Sequence, residues 1–405
     1  MRLTMKDRHV VTKALCKDYR QATKKEKGRI LDQLVKATGY DRCYAGWLVR
    51  SHGKRVALAP GVTVQADVRR KPKRTRARTY GPELLAPLKK VWEMLDYLSG
   101  KRLVPALREL VPRLVAQKAL RMKKAVQNKL VALSAATADR LLKEERQKHT
   151  LKGRSHTKPG TLLKHQVPIR TFADWDEARP GFLEIDLVGH DGGKAQGDYC
   201  FTLDITDVAS GWTEQIAVPN KAQIWVFNAL KEVRARLPFP VRGLDSDNGS
   251  EFINHHLVAY CQEEEITFTR SRPYRKNDTC YVEQKNWSVV RRYVGYARFD
   301  TVEAQALLNE LYVLLRDYTN FFLPSLKLKE KVRDGARVTR RYEEAKTPYR
   351  RLMDSPHVDR ATKRRLKDRY ESLRLPDLHR RIRTLQQRLA RLGTRTPKPV
   401  ENTTP

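Results

Sequence analysis

Apolar positions recur along this chain at two different spacings, and the change falls near residue 180. Before it, the recurrence is helical. Ile30, Leu31, Leu34 and Val35 form one stripe, and Gly39 closes it. Asp41 can then cap a second helix carrying Tyr44, Trp47 and Leu48. Leu84, Leu85, Leu88, Val91, Leu95 and Leu98 repeat at the same spacing after Pro82, which suits a first helical position. Residues 103–115 predict another helix. A short helix then reaches Leu133, and Ser134 or Thr137 can cap the next. Helix, short turn, helix is the outline of a helix-turn-helix, and it occurs twice.

From 181 onward the pattern becomes strand-like. Segments 181–188, 198–205 and 212–217 predict strands joined by turns at Gly189-His190-Asp191-Gly192-Gly193 and Ser210-Gly211. Loops that short imply an antiparallel meander. Helices at 222–237, 251–264, 277–294 and 301–318 then enclose strands at 241–246 and 266–269. This order predicts an α/β mixed sheet with helices on both faces. The tract 327–341 is strongly basic; Val332, Ala336 and Val338 suit either a small β unit or an irregular DNA-bound segment. Beyond Pro376, Asp377 can cap a helix with Leu378, Ile382, Leu385, Leu389 and Leu392. That seam spans about two heptads and suits either a core helix or association of two protomers.

The expected organisation is therefore multidomain. Residues 1–66 form an all-α helix-turn-helix module, 67–80 a basic linker and 81–150 a second helical DNA-binding module. Residues 151–171 form another basic linker, 172–325 the α/β core, 326–393 a basic and partly helical region, and 394–405 a disordered tail.

Charge sharpens this picture. The 405 residues include 82 Lys and Arg against 46 Asp and Glu, a formal net charge of +36. Such an excess repels itself unless a polyanion neutralises it. Nucleic acid is the leading partner, because cationic contacts to phosphates also release condensed counterions. A ribosome-associated or membrane-surface protein would share the charge. No window approaches the roughly 20 apolar residues of a spanning helix, and no membrane partner is expected. The five cysteines are scattered and form no CxxC pair. That argues against a disulfide framework or zinc finger and for a reduced, cytoplasmic compartment.

Candidate DNA contacts follow from the basic faces. Arg42 and Arg50 lie on the first module, and Arg140 and Lys143 on the second. Arg69, Arg70, Lys73, Arg74, Arg76 and Arg78 form an arm suited to phosphates or a minor groove.

Three carboxylates carry the candidate chemistry. Asp186 lies inside an apolar strand, where a carboxylate is costly unless paired or bound to a cation. Asp247 sits just past a second strand, at Asn248-Gly249. Glu283 falls in the first turns of a helix. Two strands and a helix can converge these acids on one point, and hard divalent ions take oxygen ligands. Two such ions, Mg²⁺ or Mn²⁺, suit an in-line attack on a phosphodiester. Glu184, Asp204, Asp207, Asp245 and Glu251 are expected to be supporting or solvated. His255 and His256 sit on a surface-type helix without a third partner, which suits packing or phosphate rather than zinc.

Residues from about 170 to 325 resemble the integrase-type core of bacterial insertion-sequence transposases and retroviral integrases, the DDE family with the ribonuclease-H-like fold. The segments that carry the resemblance are Glu184-Ile185-Asp186-Leu187, the run from Ser246 to Phe252, and Arg272-Pro273-Tyr274-Arg275-Lys276-Asn277-Asp278 leading to Val282-Glu283-Gln284-Lys285-Asn286. Asp247 and Glu283 are separated by 35 residues, the spacing found in many of these enzymes. The resemblance implies that Asp186, Asp247 and Glu283 are the catalytic acids and metal ligands. It implies DNA contacts for Lys276, Asn277 and Lys285. Many relatives carry a basic residue seven positions after the glutamate; this chain has Val290 there, with Arg291 next as the candidate. The resemblance also implies a bacterial, nucleoid-associated transposase. Such a protein binds terminal repeats as a dimer or higher oligomer, cleaves the element ends and joins 3′-hydroxyls to target DNA. A nuclease without strand transfer and an inert DNA-binding regulator are the competing expectations.

Overall fold

The computed structural model describes residues 3–59, 62–65, 79–148, 179–246, 249, 251–252, 255–270 and 280–394. The chain forms two compact units, Met1–Thr79 and Tyr80–Pro405. Among the described residues no helix is long and apolar enough to cross a membrane.

The first unit contains α1 (Met5–Gln21), α2 (Lys24–Thr38) and α3 (Arg42–Ser51). Capping boxes pair Thr4 with Asp7 and Thr23 with Glu26. Gly39 ends α2 at φ 68, a left-handed conformation that glycine adopts without steric cost. Asp41 accepts the amides of Cys43 and Tyr44 and so starts α3. Cys16, Tyr19, Leu34, Ala45 and Val49 close the small core. An antiparallel hairpin, β1 (Arg55–Ala59) with β2 (Val62–Gln65), adds strands to a module expected to be all helical.

The second unit opens with α4 (Leu85–Met94), α5 (Gly100–Ala116), α6 (Lys124–Val131), α7 (Ala135–Leu141) and α8 (Lys143–Gln147). Ser134 caps α7, accepting the Thr137 amide. This block does not stand apart as the boundaries 81–150 imply. Its buried leucines join the same core as the rest of the unit. The α5 side chain of Glu109 pairs with Arg350, and Arg113 donates to the carbonyls of Tyr370 and Leu373.

The central sheet has the order β5-β4-β3-β6-β7. The strands are β3 (Phe182–Gly189), β4 (Phe201–Asp207), β5 (Thr213–Val218), β6 (Gly243–Ser246) and β7 (Thr267–Arg270). Connections without a helix, over 190–200 and 208–212, leave β3, β4 and β5 antiparallel. Crossovers through α9 (Gln223–Arg236) and α10 (His255–Glu263) make β6 and β7 parallel to β3.

The two faces of the sheet differ. Ile185, Leu203, Ile205, Leu244 and Phe268 are buried on one face, where Ile185 and Leu203 meet Val226 and Leu230 of α9 and Leu257 of α10. On the other face the register aligns Thr213, Thr206, Glu184, Asp245 and Thr269 across all five strands. A second polar row aligns Gln215, Asp204 and Asp186. Such buried polar groups persist only with partners, which the next helices supply.

Those helices are α11 (Cys280–Lys285), a π-type continuation over Asn286–Arg291, and α12 (Arg292–Val294). The long α13 (Val302–Phe322) comes next. Asn309 and Asn320 of α13 each donate to a carbonyl and accept an amide of β5, at Ala217 and Thr213. They take the place of a neighbouring strand at the sheet edge.

The C-terminal part forms a hairpin, β8 (Leu328–Asp334) with β9 (Arg337–Tyr342), then α14 (Pro348–Asp354), α15 (Arg360–Ser372) and α16 (Leu375–Leu392). The start of α16 lies at Leu375, so Asp377 sits in its first turn rather than at the cap. Its seam, Leu378, Ile382, Leu385 and Leu389, is buried in the unit's core with α13. The core-helix alternative is therefore the one realised in this chain. The linker 151–171 lies outside the described residues, as do residues 66–78 and 395–405.

Candidate active site

Strand β3 is the middle of the sheet and places Asp186 on the polar face, half-buried. Its Oδ1 accepts the Leu187 amide at 2.8 Å, and its Oδ2 accepts Nδ2 of Asn286 at 2.6 Å. Two residues earlier on the same face, Glu184 is fully buried. Its carboxylate accepts the amides of Tyr281 at 2.8 Å and Val282 at 3.0 Å. First-turn amides have no acceptor within their own helix, and the partial positive charge of a helix start favours a carboxylate there. Two links, Glu184 to the start of α11 and Asn286 to Asp186, thus join the strand to the helix that carries Glu283. Glu283 itself is exposed.

The π segment resets the helix face beyond Glu283. In an α-helix the residue seven positions on returns to nearly the same face. An i→i+5 turn inserts about one residue, which shifts that face from Val290 to Arg291. Val290 is accordingly buried. Arg291 is half-buried; it donates to the Gly189 carbonyl at 2.9 Å and lies 4.9 Å from the Tyr296 ring centre. It clasps the end of β3 rather than standing free for DNA.

Asp247 lies outside the described residues. Its bonded neighbour Ser246 ends β6 and pairs with Ile185, adjacent to Asp186. Lys276 and Asn277 also lie outside the described residues, as do Arg69, Arg70, Lys73, Arg74, Arg76 and Arg78. Among the described residues no three His, Cys, Asp or Glu side chains gather as a metal cluster.

Lys285, an expected DNA contact, is not on the surface. It is buried, because the helix turns it toward β4 and Asp204. Burial pulls its ammonium down to about 8, and the charge of Asp204 opposes that shift. Burial likewise pushes the Asp204 carboxyl up to about 7, against hydrogen bonds from Gln215 and Thr213 and the charge of Lys285. Asp207 is pushed up to about 6 by burial, against hydrogen bonds from Ser210 and Gly181. Glu184, Asp204, Asp207 and Asp245 are all buried, so none is the solvated acid that the sequence allowed.

Of the remaining candidates, Arg42, Arg50, Arg140 and Lys143 are exposed. Arg42 pairs with Asp32, and Arg140 donates to Thr137 and the Ala136 carbonyl. His255 and His256 are exposed on α10. The residues missed by sequence reasoning are Asn286 and, in its structural role, Glu184. Both had a signal: Asn286 is three residues from Glu283, on one helix face, and Glu184 is two residues from Asp186, on one strand face.

Residues 176–276 match the family model of the integrase core domain. Over 350 residues the chain is 39% identical to the uncharacterized protein y4rM of Sinorhizobium fredii (strain NBRC 101917 / NGR234), covering 86% of this chain and 96% of that protein. The chain belongs to one family with that protein and carries an integrase core domain.

Its integrase core, a ribonuclease-H-like mixed sheet, is flanked by helical regions on both sides. Two solved structures are also similar to the chain. The catalytic core domain of BIV integrase is 19% identical, covering 44% of this chain and 96% of that one, with a TM-score of 0.28. The HTLV-2 integrase catalytic core domain in complex with magnesium is 14% identical, covering 36% and 91%, with a TM-score of 0.28. The integrase core assignment rests on the family model over residues 176–276.

Proposed function

We propose that this integrase-core protein is a DNA transposase that cleaves at the ends of a mobile element and joins the 3′-hydroxyls to target DNA. One observation carries the reading: strand β3, which bears Asp186, and the helix bearing Glu283 are tied together by two links, one through Glu184 and one from Asn286 to Asp186. A solvated, incidental pair of acids would need no such support. Asp186, Asp247 and Glu283 are the proposed catalytic acids. Asp186 and Glu283 offer carboxylate oxygens from adjoining elements, the donor type that Mg²⁺ and Mn²⁺ take. Two bound ions would activate the attacking oxygen and stabilise the departing one.

The chain's own contribution is positional. Asn286 holds one oxygen of Asp186, Glu184 holds the start of α11, and Arg291 ties the far end of that helix to β3. Lys276 and Asn277 are proposed contacts to the element end. Arg42, Arg50, Arg140, Lys143 and the 69–78 tract supply cationic side chains for phosphates. Joining two element ends calls for two active sites, so we propose a dimer or higher oligomer on DNA.

The test is a strand-transfer assay with Mg²⁺, a labelled duplex carrying an element end and a supercoiled target. Joined product from wild type and none from Glu283→Gln or Asp247→Asn supports the reading. Cleavage without joining overturns it in favour of a nuclease, and DNA binding with neither favours a regulator.

A further inference from the structure

In the second unit one hairpin stands apart from the central sheet. Among the described residues strands β8 and β9 pair only with each other, and every side chain described from Leu328 to Tyr342 is exposed. A lone two-stranded hairpin is marginal in water, because neither face is buried. Leu328, Val332, Val338 and Tyr342 nonetheless stay open to solvent. The described charged side chains are mostly cationic: Lys329, Arg333, Arg337, Arg340 and Arg341 against Glu330. Arg341 pairs with Glu330 at 3.1 Å, and among the described residues no carboxylate pairs with Lys329, Arg337 or Arg340.

The ribbon is firmly rooted, and its root lies beside the active site. Ser325 bridges Lys346 across the base, and Arg351 donates to the Ser325 hydroxyl and carbonyl. Lys327 donates to the Ala209 carbonyl at 2.7 Å, in the turn between β4 and β5. The same ammonium lies 5.9 Å from the ring centre of Tyr281, two residues before Glu283.

We propose that the β8–β9 ribbon is a DNA arm that holds duplex against the active site; this rests on the reading of the core as a DNA-processing enzyme. Charge complementarity selects the occupant. The cationic side chains run along the ribbon, as phosphates run along a strand. A two-stranded ribbon also fits the major groove. Seven residues at about 3.4 Å each reach about 24 Å, roughly seven base-pair steps. The exposed apolar side chains can then meet sugars and thymine methyl groups instead of water.

The test uses the full-length protein, a fluorescent duplex and a salt series. The triple variant Arg333→Ala, Arg337→Ala, Arg340→Ala removes three cationic groups from the ribbon. Arg360→Ala, Arg364→Ala, Lys367→Ala removes three exposed ones from α15 as a charge-matched control. The ribbon triple should lower the slope of log K against log salt by about 0.9 per lost phosphate contact, and weaken binding about tenfold or more near physiological salt. The control should keep the wild-type slope. A ribbon triple with wild-type slope and affinity overturns the arm alone, as does an equal loss in both triples. Wild type that fails to bind duplex removes the DNA reading together with the arm. In case the triple misfolds, phenylglyoxal labelling of wild type gives a second readout. Arg337 and Arg340 should be protected by duplex, and equal reactivity with and without DNA overturns the arm.

Discussion

The carboxylate of Glu184 accepts the backbone amide of Val282 at 3.0 Å, and Val282 directly precedes Glu283. A buried acid on β3 thereby sets where the helix bearing Glu283 begins. Replacing it with alanine leaves two first-turn amides without their acceptor, a cap loss of about 0.5–2 kcal/mol. Glu184→Ala should speed hydrogen exchange at Tyr281 and Val282 and reduce strand transfer while duplex binding persists. Glu184→Gln keeps an acceptor oxygen and should retain most activity. Unchanged exchange in the alanine variant would rule out the cap.

Asn286 bonds Asp186 from the same helix. Asn286→Leu keeps the volume and removes the donor, so Asp186 loses its orientation. Half-maximal strand transfer should then need more Mg²⁺, with the affinity for duplex unchanged. A wild-type Mg²⁺ dependence in Asn286→Leu would show that the contact does not position the acid.

Lys285 and Asp204 are opposite charges buried beneath the site. Lys285→Met leaves a buried carboxylate without its compensating charge, a change that costs about 3–5 kcal/mol for closely paired groups and less here. Adding Asp204→Leu should recover much of the loss. A double-mutant cycle read by chemical denaturation should return a coupling of roughly 1–3 kcal/mol. The salt dependence of DNA binding should not change in Lys285→Met, because the ammonium is buried. A slope reduced by about one unit would place Lys285 on phosphate after all.

Glu214 sits on the apolar face of the sheet, and burial pushes its carboxyl up to about 7. The folded protein therefore holds this proton more tightly than the unfolded chain, whose value is near 4.5. The stabilising contribution is present below that unfolded value and is lost as pH rises through about 7. Its slope is at most about 1.4 kcal/mol per pH unit. Glu214→Gln keeps an acceptor for Nε1 of Trp212 and should flatten the stability profile across this window, relative to wild type. Identical profiles would show that Glu214 is not the group responsible.

Local features were legible because local forces set them. Gly39 and Asp41 mark the end of α2 and the start of α3 through backbone geometry within a few residues. The alternation of strands and helices from 181 onward carries the mixed sheet, since loop length decides between antiparallel and crossover pairing. The spacing of Asp186, Asp247 and Glu283 on strand, strand end and helix marked the candidate site.

What remained hidden depends on partners distant in sequence. Burial of Lys285 needs β4 behind α11, and Glu184 finds its amides 97 and 98 residues away. Nothing near residue 290 announces the π turn that displaces Val290 in favour of Arg291. The leucines of α5 read as the core of a free module, yet they are buried with α13 and the C-terminal helices, because an apolar stripe records that a face is covered and not by what. The sequence by itself determined which elements form and which acids could do chemistry. Only the tertiary structure decided which charges face solvent and which are held in the interior, since burial is a property of packing between elements.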